Sequence, residues 1–245
     1  MLGCLKNTLH GLAKRWSHQP LMPALALVIL VAVWGFTALA GEVMEKETHD
    51  FDEFILLAMR EPGDTAAAIG PPWLGEMARD ITALGGFTLL TGVTVIATGV
   101  ALLSGKPRLA VAGVISVVLG SLLVRALKYG YNRPRPDLIE HAMLATNPSF
   151  PSGHSTMAAL VWLTLGMVIA RTQPRHRVRV FVVAISVVIT LLVGVSRVYL
   201  GVHWPTDVLA GWTLGGAWAA LFWMISIRID HRAQRVSRTA VFREN

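Results

Sequence analysis

Leu109-Ala-Val-Ala-Gly-Val-Ile-Ser-Val-Val-Leu-Gly-Ser-Leu-Leu-Val-Arg-Ala-Leu127 runs directly into Lys128-Tyr-Gly-Tyr-Asn-Arg133-Pro-Arg135-Pro136. Nineteen residues with one charge are enough to cross most of a hydrocarbon layer of roughly 30 Å as a helix. Three cations then follow within eight residues, just where the apolar run ends. Two more pieces have the same character. Pro151-Ser152-Gly153-His154 opens another apolar run, and Ser196-Arg197, five residues, His203, three residues and Asp207 lie between the last two. Ionisable groups beside a bilayer are costly unless they meet a ligand or each other, so such a cluster at helix ends marks a candidate site.

Composition agrees with a membrane unit. The chain has 245 residues, 53% of them hydrophobic and 15% charged, with a mean hydropathy of +0.54, too apolar for a soluble domain of this length. A net charge of +7 raises the possibility of nucleic acid, but the charges fall between apolar runs rather than on one polar face, so no nucleic-acid partner is expected. Cys4 is the single cysteine. It excludes an internal disulfide and a thiolate metal cluster.

Apolar runs at Leu21–Ala40, Ile81–Leu103, Leu109–Leu127, Ser152–Ala170, Val178–Val198 and Val208–Ile227 predict an all-α polytopic bundle of six transmembrane helices. Residues 1–20 are expected to form a cytoplasmic segment, 21–227 the spanning domain, and 228–245 a basic cytoplasmic tail. The first run, ending in Ala38-Leu39-Ala40, also resembles a secretory signal with its cleavage site. At twenty residues it exceeds the signal core of about 7–15 residues, so a retained anchor is expected. Segment 41–80 carries ten acids and is cut by Pro62, Pro71 and Pro72. Its apolar residues fall at helical spacing, predicting short amphipathic helices at the membrane surface, between the first and second spans.

Charge sets the orientation. The N-terminus, Lys106 with Arg108, Arg171 to Arg179 and the tail from Arg228 together hold fourteen Lys and Arg, against Asp230 and Glu244 as the acids. Lys and Arg near span ends favour the cytoplasmic side, so both termini should be cytoplasmic and segment 41–80 outside. All three motif pieces then fall on the outer face. Arg125, Lys128, Arg133, Arg135 and Arg197 lie there against the general tendency, an excess that membrane anchoring does not explain.

The residue types indicate what they would hold. Lys128, Arg135 and Arg197 supply positive charge, and guanidinium forks match phosphoryl oxygens. Ser152 suits an N-cap and Gly153 lets a ligand approach the backbone, so the first amides of that helix would face an anion. Pro205 fits the first turn of the last helix. Asp207 can then hold one nitrogen of His203 and leave the other free to attack, while His154 remains to protonate a leaving oxygen. Each group also has a duller reading: the cations as interfacial anchors, the histidines as hydrogen-bonded filler, Asp207 as a helix cap.

Lys128 with six residues before Arg135-Pro136, then Pro151-Ser152-Gly153-His154, then Ser196-Arg197 with His203 and Asp207 resemble the complete three-part signature of the type 2 phosphatidic acid phosphatase superfamily. The resemblance covers about Ile81 to Ile227. It implies a metal-independent phosphatase without cofactors, in which His203 forms a phosphohistidine, Asp207 supports it and His154 is the general acid. Lys128, Arg135, Ser152, Gly153 and Arg197 would hold the phosphate. Asn132, Arg133 and Tyr199 are outside the signature positions and are not expected to be catalytic.

Bacterial members of similar size act on undecaprenyl pyrophosphate, phosphatidylglycerol phosphate, phosphatidic acid or lipid A, and the resemblance favours the first two. It also implies the bacterial inner membrane as location and a phosphorylated lipid in the bilayer as partner. A lipid phosphotransferase would carry the same signature. Vanadium haloperoxidases share it but are soluble, and a transporter would place ionisable groups in mid-span.

Overall fold

The computed structural model describes residues 21–137 and 147–241; the predicted N-terminal segment and the last four residues of the tail lie outside them. Helix α1 (Leu21–Met44) is followed by α2 (His49–Leu57) and a hairpin of β1 (Arg60–Glu61) and β2 (Asp64–Ala68). Next come α3 (Pro72–Ala83), α4 (Phe87–Leu103) and α5 (Pro107–Tyr131). A further run is built from α6 (Gly153–Ala158), one wide turn at Ala159–Leu163 and α7 (Thr164–Thr172); α8 (His176–Tyr199) and α9 (Pro205–Val241) close the chain.

Among the described residues, five helical runs are long and apolar enough to cross a membrane: α1, α5, α6 through α7, α8, and the Pro205–Ile229 part of α9. The expected second crossing differs in form. It is a pair, α3 and α4, bent by 42°, and counting the pair as one span gives six. The break follows from Leu84-Gly-Gly86, where two glycines interrupt the helix and Gly86 enters α4 in extended backbone. The Trp73–Asp80 stretch is helical, as expected, but it lies in α3, which abuts the apolar α4 at the bend, while α2 is the other short helix of the segment. The hairpin was not foreseen. Gly63 has φ +87° after Pro62, the pairing a tight turn of this kind requires, but two- and five-residue strands are too short to show an alternating pattern.

Phe87 and Leu103 are 85% and 93% exposed, at the two ends of an apolar helix. Side chains of that kind suit a lipid-facing surface. Inside, small residues let helices approach, as expected where hydrocarbon surrounds the bundle. Gly215 of α9 lies against the carbonyl of Thr156, and Gly194 of α8 lies against the Trp212 indole, whose Nε1 donates to Thr190 O at 3.0 Å. The wide turn carries Leu160 toward Gly120 of α5. Helix α1 packs along α9 through Phe36, Ala40 and Val43 near Phe150 and Ala210. Phe36, Tyr131 and Phe150 form an aromatic group with centroids 5.0–6.3 Å apart, fixing the segment before Ser152 between α1 and α5.

Candidate active site

Three chain reversals at one end of the bundle build the site. Asn132 ends α5 in the left-handed conformation (φ 46°), its N–H donating to Lys128 O; Asn tolerates this backbone better than other non-glycine residues. The chain therefore turns back, and Arg133 and Arg135 point toward the start of α9. The Arg133 carbonyl accepts from Ser149 N at 2.9 Å, and Ser149 Oγ donates to Pro134 O at 2.9 Å. The stretch after α5 is thus tied to the stretch before α6.

Ser152 is the N-cap of α6, as expected: its Oγ accepts from Ser155 N at 3.4 Å and Ser155 Oγ at 2.9 Å. Its own N–H donates to Asp207 O at 2.9 Å, bringing the second and third motif pieces together. A Cβ on Gly153 would rest 3.5 Å from Lys128 Cε, an ordinary contact. Gly153 and Lys128 are therefore neighbours, and the glycine is not required by protein packing. His154 faces the bent pair, where a Cβ on Gly85 would meet its carbonyl at 3.0 Å.

Neutral acceptors help to orient the cations. Lys128 Nζ donates to the carbonyls of Pro148 and Ser149. Arg135 donates to the carbonyl of Asn147 at 2.9 Å and to that of Val202. Arg197, 3% exposed, donates to Thr82 Oγ1 at 3.1 Å, so α3 helps aim it. Neutral oxygens orient a cation without cancelling its charge, and an anion arriving here would meet the combined field of the three.

His203 is buried, with Nδ1 3.2 Å from Asp207 Oδ2. Its Nε2 is 3.3 Å from Arg135 Nη1. A guanidinium has donors and no acceptor, so Nε2 is the bare nitrogen and Nδ1 carries the proton donated to Asp207. Burial first, then the charges of Arg197, Arg135 and Lys128, hold the His203 imidazole well below its usual pKa, leaving the ring neutral. Asp207 Oδ2 also accepts from Trp204 N at 3.0 Å.

Every sequence-predicted site residue lies at this end: Lys128, Arg135, Ser152, Gly153, His154, Arg197, His203 and Asp207. Sequence reasoning set Arg133 aside, yet its Nη1 donates to Asp207 Oδ1 and its Nη2 to Asp52 Oδ2, both at 2.7 Å. A surplus cation two residues from a signature arginine was the available signal. Asp52, one of ten acids in its segment, gave none.

An apolar cavity of about 540 Å³ opens beside these groups. Gly153, His154 and Met157 form one wall, with Leu90 and Thr94 of α4 and Val117 of α5 opposite. A smaller cavity shares Thr94, Thr98 and Val117 and continues along the same helices toward Leu109 and Ala110.

Comparison with known proteins accounts for this arrangement. Residues 109–229 match the PAP2 superfamily. Phosphatidylglycerophosphatase B of Bacillus subtilis (strain 168) is 34% identical over 183 residues, 74% of this chain and 85% of that protein. The chain belongs to the PAP2 superfamily and is a membrane phosphatase. The crystal structure of a transmembrane PAP2 type phosphatidylglycerolphosphate phosphatase from Bacillus subtilis has the same fold, with a TM-score of 0.74 at 32% identity over 82% of this chain and 96% of that one. An undecaprenyl-diphosphatase of Sulfolobus acidocaldarius is 33% identical over 128 residues, 50% of this chain and 56% of that protein.

Proposed function

We propose that the chain hydrolyses a lipid phosphate monoester or lipid pyrophosphate at the outer face of the bacterial inner membrane, through a phosphohistidine on His203. The observation that carries this reading is the His203–Asp207 pair, with its bare Nε2 turned toward Arg135, together with an apolar cavity whose lining includes Gly153 and His154 of the second motif piece. The cavity takes the apolar chain while the charged end meets the cations. The outer location rests on the charge pattern: basic termini and basic connections favour the cytoplasmic side, and the motif pieces belong to the alternate connections.

The reaction takes two steps. His203 Nε2 attacks phosphorus in line, a P–N bond forms, and the bond from phosphorus to the lipid-side oxygen breaks with its electron pair on that oxygen. His154 protonates the leaving oxygen. Lys128, Arg135, Arg197 and the amides after Ser152 hold the remaining phosphoryl oxygens, which spread the developing charge. Asp207 stabilises the positive charge that the His203 ring gains. In the second step His154 takes a proton from water, the oxygen bonds to phosphorus, the P–N bond breaks, and inorganic phosphate leaves.

The names of the relatives make phosphatidylglycerol phosphate and undecaprenyl pyrophosphate the first substrates to try. Purified protein in detergent, given each in turn with no acceptor lipid, should release inorganic phosphate in the presence of EDTA and be inhibited by vanadate. His203→Ala should release none and trap no acid-labile phosphoenzyme, while Asp207→Asn should lose less. Phosphate appearing only when a hydroxyl-bearing lipid is supplied would make the chain a phosphotransferase, and a strict need for a divalent metal would overturn the mechanism.

A further inference from the structure

We propose that Asp52 is a positioning residue of this site, holding Arg133 and the first turn of α9 so that Asp207 presents one fixed oxygen to His203. The inference rests on His203 being the nucleophile. Asp52 belongs to the nine-residue helix α2, more than seventy residues before the first motif piece in sequence. Its side chain is nevertheless fully buried.

Its contacts explain why. Asp52 Oδ1 accepts from Thr206 N at 2.9 Å, and Oδ2 accepts from Thr206 Oγ1 at 2.6 Å, Arg133 Nη2 at 2.7 Å and Thr48 Oγ1 at 3.5 Å. Thr206 is the second residue of α9 and directly precedes Asp207. Asp52 thus satisfies, from a distant segment, an amide that the helix itself leaves unpaired, where the helix dipole favours a carboxylate.

Arg133 joins this anchor to the reacting pair. Its Nη1 donates to Thr206 Oγ1 at 2.8 Å and to Asp207 Oδ1 at 2.7 Å, and its guanidinium stands 5.5 Å from the centre of the Trp204 ring, within cation–π range. Asp207 therefore has Oδ1 committed to Arg133 and Oδ2 left for His203 and Trp204 N. Rotation of its carboxyl group would break both commitments.

Charge gives Asp52 a second effect. One guanidinium bridging two buried carboxylates divides its pull between them. Without Asp52, Arg133 would act on Asp207 alone and weaken the hold of that carboxylate on the imidazole as it becomes positive. The consequence falls on the chemical step, whereas Lys128, Arg135 and Arg197, which face the phosphate, are untouched.

The test uses the full-length protein and a lipid phosphate that the wild type turns over, with the single-turnover rate constant of phosphoenzyme formation as readout. That rate constant, unlike its amplitude, does not depend on what fraction of the protein is folded. Asp52→Asn should lower it roughly 10- to 100-fold, the range for small misplacement of a reacting group, with KM within about twofold of wild type. Thr206→Val, which keeps the volume and removes one donor from the network, should lower it in the same sense and decides the matter if Asp52→Asn does not fold. A wild-type rate constant in the folded variant, or a raised KM with the rate constant unchanged, overturns the proposal. His203→Ala separates the two readings: turnover surviving there removes the nucleophile assignment, whereas a dead His203→Ala beside a fully active Asp52→Asn removes only the role of Asp52.

Discussion

His203 combines complete burial with a cluster of positive neighbours, and both oppose its protonation. In the unfolded chain the same ring takes a proton near pH 6.5. Between that pH and the much lower folded value the unfolded state binds more protons, so acid favours unfolding there. The wild type should therefore lose thermal stability as pH falls below about 6.5, and His203→Ala should lose less over the same range, measured as the difference between the two melting curves in one detergent. Arg133 supplies a second expectation. Arg133→Ala leaves Asp52 and Asp207 buried without their shared partner, and breaking a buried pair from one side costs roughly 3–5 kcal/mol, readable as a lowered denaturation midpoint. The residues that the structure gathers at this end of the bundle could be read from residue type and spacing, because phosphoryl chemistry asks for arginines, a helix start and an imidazole. Asp52 could not, since its importance comes only from meeting Arg133 and Thr206 across the fold.

Helices α6 and α9 meet through Gly215, whose missing Cβ is replaced in space by the Thr156 carbonyl and Ala159. Gly216, one residue on, has nothing within 4 Å of that position. Gly215→Val should push α6 away and cost roughly 1–3 kcal/mol through overpacking, while Gly216→Ala should be neutral or slightly stabilising because alanine is the better helix former; melting temperatures of the two variants decide this. The helices themselves were legible as apolar runs, and their contacts were not, because a run buried in lipid and a run buried in protein have the same composition. The bend at Leu84-Gly-Gly86 was missed for a related reason. The hydropathy of a span is an average over many residues, and two glycines at one end of a run barely change it.

The three motif pieces are far apart in the chain but close in the molecule, and the alternation of crossings anticipated that. What alternation did not anticipate is how the segment between the first two crossings engages the rest. Arg60, buried, donates to the Tyr199 carbonyl at the end of α8, and Tyr199 Oη returns a bond to Ile69 O at 2.8 Å. Together with Asp52 these bonds fasten the hairpin and α2 over the ends of α8 and α9.

The broken second crossing has a consequence for the host membrane. Helix α4 has seventeen residues, about 25 Å at 1.5 Å per residue, whereas the hydrocarbon layer averages roughly 30 Å. On its own α4 is shorter than that layer, so the crossing relies on the more polar α3 beyond the glycines, and mismatch of this kind costs fractions of a kcal/mol per Å. Turnover in liposomes of monounsaturated phosphatidylcholine should accordingly decline as the acyl tails of the matrix are lengthened, making catalytic rate a gauge of membrane thickness.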